Sequence, residues 1–151
     1  MYSKSDFSSL LKEKILVLDG AMGTMIQSHN LKEADYKGNE FLDWQIDLKG
    51  NNDLLTLTKP DLISSIHQSF IDAGSDIIET NTFNSNSISQ SDYGLEEHTY
   101  DLNFQGAKLA KEVATKSKKE ILVAGVLGPT NRTASLSPEV SDLAARNISF
   151  D

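Results

Sequence analysis

Three short runs with apolar centres, Ile15 to Leu18, Asp76 to Glu79 and Ile121 to Leu127, alternate with stretches of helical periodicity, and that order narrows the fold sharply. The first run is apolar at every position, the pattern of a strand buried on both faces in a parallel sheet covered by helices. The sequence predicts a helix at Thr58-Lys59-Pro60-Asp61: Thr58 as cap, Pro60 in the first turn, Asp61 at the positive end of the dipole. Leu62, Ile66 and Phe70 recur at a spacing of four, Ile63 and Ala73 widen the stripe, and Gly74 supplies a left-handed stop. Leu102, Leu109, Ala110 and Val113 mark a second helix ending near Thr115, before an exposed Lys116 to Glu120 segment and a third strand closed by Gly128-Pro129.

Strand, helix, strand, helix, strand in that order implies an α/β fold with parallel pairing and right-handed crossovers, so two connected βαβ units are expected. The excursion between Thr24 and Leu57 is too long for an ordinary connection and reads as an insertion over one end of the sheet, anchored by Phe41 and Trp44. No repeat or linker divides the chain. A polar segment over residues 1–14 precedes a single unit over 15–151, and only the Ser/Asn-rich run from Asn84 to Ser91 is compositionally biased.

Charge and composition exclude several classes of function. Among 151 residues, 22 Asp and Glu against 14 Lys and Arg give a formal net charge of -8, no field to attract nucleic acid. No apolar run is long enough for a membrane span or a signal-peptide core, so the chain reads as cytoplasmic, with no membrane partner. With 0 cysteines, neither a disulfide framework nor a thiolate metal site is available within these residues.

The three runs end alike, in Asp19-Gly20-Ala21-Met22-Gly23-Thr24, Glu79-Thr80-Asn81-Thr82 and Gly128-Pro129-Thr130-Asn131. In parallel α/β folds the carboxyl ends of strands share a face where ligands bind, although each stretch also has the composition of an ordinary turn. Gly20 and Gly23 allow positive φ and close approach, so the amides of Gly20, Ala21 and Met22 are candidate anion donors. The loop lacks the lysine of a Walker motif and the third glycine of a dinucleotide fingerprint. Asp19 beside those amides repels a phosphate but can hold an ammonium, a combination suited to a zwitterionic amino acid. Glu79 reads more readily as the partner of a basic residue than as an acid–base group. His29, His67 and His98 lack ligand spacing and read as surface or packing residues, while Arg132 faces either an anion or a carboxylate in a salt bridge.

Four motifs in order carry a resemblance. Leu18-Asp19-Gly20-Ala21-Met22-Gly23-Thr24-Met25-Ile26-Gln27 resembles the opening of the homocysteine S-methyltransferase family. Asp47 to Leu55, Ile78 to Ser85 and Ala124 to Ser135 look like its cobalamin-dependent methionine synthase branch. The resemblance implies a partial (β/α) TIM-type barrel of three βα units, an amino-terminal fragment stopping at Asn147 to Asp151 where a further helix would begin, and inactive alone. It also implies homocysteine at the strand ends, its thiol on a zinc ion held by three cysteines from later strands. The activated thiolate takes the methyl group of methylcobalamin to give methionine, and 5-methyltetrahydrofolate recharges the cobalt through domains not present here. Carried over residue by residue, Asp19, Gly20, Ala21 and Met22 meet homocysteine's amino and carboxylate groups, Thr80 is a polar contact, and Asn81 and Thr82 line the mouth. No catalytic residue and no metal ligand is assigned. Three rivals stand beside this reading: a cobalamin-independent methyltransferase using a sulfonium or betaine donor, a non-catalytic homocysteine-binding fragment, and a generic phosphate-binding module.

Overall fold

The computed structural model describes residues 4–133 and 135–148. Ala134 of the last motif lies outside them, as do residues 149–151 of the expected helix start at Asn147 to Asp151, of which 147–148 are described and not helical. The polar amino-terminal segment is helical as α1 (Lys4–Glu13), followed by α2 (Met22–Ser28), α3 (Glu33–Lys37), a 3-10 turn over Asn52–Leu54, and α4 (Leu55–Thr58). Then come α5 (Pro60–Ala73), β1 (Ile77–Glu79), α6 (Ser87–Gln90), two 3-10 turns over Ser91–Tyr93 and Glu96–His98, α7 (Thr99–Lys116) and β2 (Leu122–Ala124).

The two long helices fall where periodicity placed them. Gly74 closes α5 in the left-handed region at φ 112°, its amide donating to the Ile71 carbonyl. Lys59, not Thr58, is the residue before α5, and it caps nothing with its side chain. Thr58 instead completes the extra helical turn α4, where its hydroxyl donates to the Leu54 carbonyl at 3.4 Å. The buried face of α5 is Ile63, Ile66, His67 and Ile71, whereas Ala73 is exposed.

β1 and β2 pair in parallel, Ile77 beside Leu122, Ile78 beside Val123 and Glu79 beside Ala124. The third expected strand is thus shorter than Ile121 to Leu127, and Leu127 is 95% exposed. The first expected strand is not a buried strand: Leu18 makes one parallel bridge to Ile77, and Ile15 is 89% exposed. Its backbone does lie against β1, with Asp76 and Ile77 both donating to the Val17 carbonyl and Asp19 donating to the Ile77 carbonyl. A strand apolar on both faces needs cover on both, and nothing among the described residues supplies the outer one. Three parallel segments in chain order are present, but the described sheet holds two strands and does not close into a barrel.

The largest departure concerns the excursion. Ile26, Tyr36, Phe41, Leu48, Leu54 and Leu55 are buried in one cluster with Ile63 and Ile66 of α5, Leu95 and Leu102. The excursion therefore builds the main core instead of merely lying over it. Trp44 and Phe41 anchor it as expected: the indole N–H donates to the Tyr93 carbonyl at 2.9 Å, and both rings meet His98 edge-on. A second, smaller cluster of Ile71, Ile78, Ala110, Val113 and Ala114 seats α7 and α5 on the strands.

Candidate functional site

The loop after Leu18 and the loop after β1 converge on one cavity of about 400 Å³, a volume at the small-ligand end of natural pockets, and the chain beyond β2 reaches it only through Val126. The third expected loop, Gly128-Pro129-Thr130-Asn131, does not line it, and the Asn131 side-chain amide donates to Asp92 on the surface instead. Asp19, Gly20, Ala21, Met22, Thr80, Asn81 and Thr82 all line it. So do Asn52 and Asp53, delivered by the excursion, and Glu79, Phe83, Asn84 and Val126.

Asp19 directly follows Leu18, the residue bridged to β1. Its Oδ2 accepts the Glu79 amide at 3.0 Å, which ties the first loop to β1. Its Oδ1 is buried and accepts from no group among the described residues. Burial pushes the Asp19 carboxyl above the ordinary range and the Glu79 charge adds to the rise, while the Glu79 amide works against it. The next residues run straight into α2 with Ala21 in extended conformation, and no acceptor among the described residues takes the amides of Gly20, Ala21 and Met22. Gly20 and Gly23 do not use positive φ. Gly20 is needed for space instead, because a Cβ there would stand 3.0 Å from the Phe70 ring.

Thr80 and Thr82 are committed to each other. The Val126 amide donates to the Thr80 hydroxyl at 3.0 Å, the two hydroxyls are 2.7 Å apart, and Thr82 donates to the Val126 carbonyl at 2.9 Å. Since the Thr82 proton goes to that carbonyl, Thr80 donates to Thr82, and neither hydroxyl has a proton left for a ligand. Asn81 spends its amide hydrogens on the Asn52 carbonyl and the Thr56 hydroxyl, at 2.8 and 3.1 Å. These three residues form the wall and brace it.

Glu79 is not the salt-bridge partner that the sequence favoured: among the described residues no cation lies within ion-pair distance, and the residue lines the cavity beside Asp19. The lysines at the sheet go to its other end, where Lys14 and Lys119 both pair with Asp76. Arg132 takes the salt-bridge option, 2.8 Å from Asp92 on the surface. His29 is exposed, His98 packs on aromatic rings, and His67 is fully buried in the α5 face, away from the cavity. Asp53 was not legible as a site residue. It is 2% exposed, and its Oδ2 accepts from the Asn84 amide at 2.7 Å and the Ser85 hydroxyl at 2.8 Å. Burial raises its carboxyl, against the pull of those two bonds. The acidic residue in Asn51-Asn52-Asp53 ahead of an apolar turn was the available signal, but only tertiary packing places it here.

The sequence profile described as homocysteine S-methyltransferase matches residues 16–151. The chain belongs to that family. Its fold is similar to crystal structures of the homocysteine methyltransferase MmuM from Escherichia coli. Against the metallated form the identity is 23% and the TM-score 0.58, over 80% of this chain and 40% of that one. Against the oxidized form they are 24% and 0.61, over 82% and 40%. This homocysteine S-methyltransferase-family chain thus spans 40% of the length of those structures, and the likeness is one of α/β fold.

A zinc ion held by thiolates does not fit the residues present. The sequence has 0 cysteines, and among the described residues no three His, Cys, Asp or Glu side chains come together to hold a metal. What the arrangement offers is a carboxylate acceptor, unspent backbone donors and a braced wall. No helix among the described residues is long and apolar enough to cross a membrane.

Proposed function

We propose that this chain supplies the amino-acid end of a homocysteine site, as the first three βα units of a barrel whose later strands complete it. The observation that carries the reading is the buried Oδ1 of Asp19, unpartnered among the described residues, in a cavity whose lining has no cation. A buried acceptor without a donor costs about 1–3 kcal/mol, more when charged, and an ammonium removes that cost. The amides of Gly20, Ala21 and Met22 beside it suit the carboxylate of the same ligand. Thr80, Asn81 and Thr82 shape the pocket, with the Thr80 oxygen still able to accept one further bond.

The finer reading is the cobalamin-dependent methionine synthase branch, with methylcobalamin and 5-methyltetrahydrofolate acting through other domains. The Asp47 to Leu55 and Ile78 to Ser85 motifs support it, and the structure brings the two together through the Asp53–Asn84 and Asn81–Asn52 bonds. A cytoplasmic setting follows from the same reading. The rival with a sulfonium or betaine donor draws on a different observation: Asp19, Asp53 and Glu79 give the cavity a negative lining that attracts a cationic donor.

In a complete enzyme, Asp19→Asn is expected to raise the KM for homocysteine far more than that for the methyl donor. An unchanged homocysteine KM removes the assignment of Asp19. Assaying that enzyme with 5-methyltetrahydrofolate against a sulfonium donor separates the two branches.

A further inference from the structure

Asn84 entered the sequence reading only as part of a family motif and of a Ser/Asn-rich run, with no site role, yet it lines the cavity. Its backbone is held from both sides by buried side chains. Asp53 accepts its N–H, and the Gln90 carboxamide, 0% exposed, donates to its carbonyl at 3.0 Å. Gln90 is in turn paired with Asn51, whose amide donates to it at 2.7 Å. One residue further on, the Ser85 carbonyl accepts from Asn103 of α7 at 2.6 Å. A loop residue clamped this thoroughly is a presented residue, and what it presents is a carboxamide with no partner among the described residues.

Counting protons singles out its role. Thr80, Asn81 and Thr82 have spent theirs on one another, on Thr56 and on backbone carbonyls. The carboxylates in the lining only accept. Side-chain N–H groups left uncommitted belong to Asn84 and to Asn52, whose Oδ1 is fixed by the Tyr36 hydroxyl at 3.1 Å while its amide nitrogen makes no bond among the described residues. Asn52 adjoins Asp53, so the bond from the Asn84 backbone amide to Asp53 brings residue 84 to the same stretch of cavity lining as Asn52, with the Asn84 side chain exposed at its rim.

We infer that Asn52 and Asn84 are specificity-determining residues that donate to the α-carboxylate of the bound amino acid, while Asp19 takes its ammonium. A ligand carboxylate entering beside Asp19, Asp53 and Glu79 is repelled by all three and needs donors to stay. Two neutral carboxamides on locked backbones supply them with no cation to desolvate. The inference rests on the amino-acid reading above and assigns a further pair of contacts within that site.

The test compares methionine with 3-(methylthio)propylamine, the same molecule without its carboxylate, titrated onto the 151-residue chain and followed by amide chemical shifts. The unsubstituted chain should prefer methionine. Asn84→Ala and Asn52→Ala should each lower methionine affinity about tenfold, as expected for a bond to a charged group, and leave the amine unchanged. Asn84→Asp keeps the shape, turns the donor into an acceptor and should reverse the preference. If the substitutions weaken both ligands equally, or leave the ratio intact while Asp19→Asn still abolishes methionine binding, Asn52 and Asn84 are structural and the inference is overturned with the amino-acid reading standing. If neither ligand binds the unsubstituted chain, both fall. Melting curves of each variant identify losses caused by unfolding, and the amine serves as internal control.

Discussion

The two ends of the sheet each carry an aspartate at a strand terminus, and the two are treated in opposite ways. At the amino end, Asp76 receives Lys14 at 2.9 Å and Lys119 at 2.7 Å on one oxygen and the Val17 amide at 3.0 Å on the other. Those partners, Lys119 foremost, hold its carboxyl far below the usual range. At the carboxyl end, Asp19 has one backbone donor, an orphaned oxygen, a like charge nearby and a raised carboxyl. A satisfied carboxylate spends its interactions on the fold. An unsatisfied one keeps capacity that a ligand could use, and this contrast is the ground on which the site is proposed at the Asp19 end.

The contrast is sharpest in ligand binding. Asp19→Asn should cost roughly a hundredfold to a thousandfold in methionine or homocysteine affinity, measured by amide shifts, since it strips one partner from a desolvated charge pair. Asp76→Asn should leave that affinity unchanged, and a comparable loss there would break the comparison.

His67 supplies the next test, because both of its ring nitrogens are buried and unpartnered among the described residues, yet it does not line the cavity. Burial lowers its pKa from 6.5 to about 4. Between those values the unfolded chain binds a proton that the folded chain refuses, so stability falls as pH drops from 6.5 to 4, by up to about 3 kcal/mol. Chemical denaturation across that window should show the slope, His67→Leu should remove it, and ligand affinity should not move. An effect of His67→Leu on affinity would show that an orphaned polar atom marks a site even away from the cavity.

A third expectation concerns stability at neutral pH. Asp76→Asn should lower the Tm by several degrees. With a depressed folded-state pKa, Asp76 contributes stability that is present above the ordinary aspartate pKa and lost as pH falls below it, so the deficit of the variant should close in acid. Asp19→Asn gives the smallest effect, with the opposite sign. A raised folded-state pKa means stability is lost as pH rises past the ordinary aspartate value, so removing the charge should leave Tm at pH 7 unchanged or slightly higher. A clear drop for Asp19→Asn in differential scanning calorimetry would make it a structural residue like Asp76.

Legibility followed locality. α5 was readable because Pro60, the spacing of Leu62, Ile66 and Phe70, and Gly74 are signals carried within one helix, and α7 for the same reason. Two of the three candidate loops, after Leu18 and after β1, meet at the cavity because a strand's end is written in its own residues, whereas Gly128-Pro129-Thr130-Asn131 misses it because the third strand stops early, at Ala124. Ile15 to Leu18 misled because strand character depends on neighbours that the run itself does not encode. The excursion misled because Tyr36, Phe41, Leu48 and Leu54 reach the core at irregular spacing, which no periodic template registers. Asn52, Asp53 and Asn84 were not read as cavity residues since contacts about 30 residues apart in the chain bring them there.

Val126, Thr80 and Thr82 close a three-membered circuit in which every bond points the same way, amide to hydroxyl to hydroxyl to carbonyl. Bonds so aligned polarise one another, and the loss of either hydroxyl breaks the ring at two points. The adjoining strand ends are stitched at the rim of the cavity and cannot splay to admit a broader guest. This part of the rim is set during folding, so a molecule bound against it would spend little of its interaction energy on ordering it.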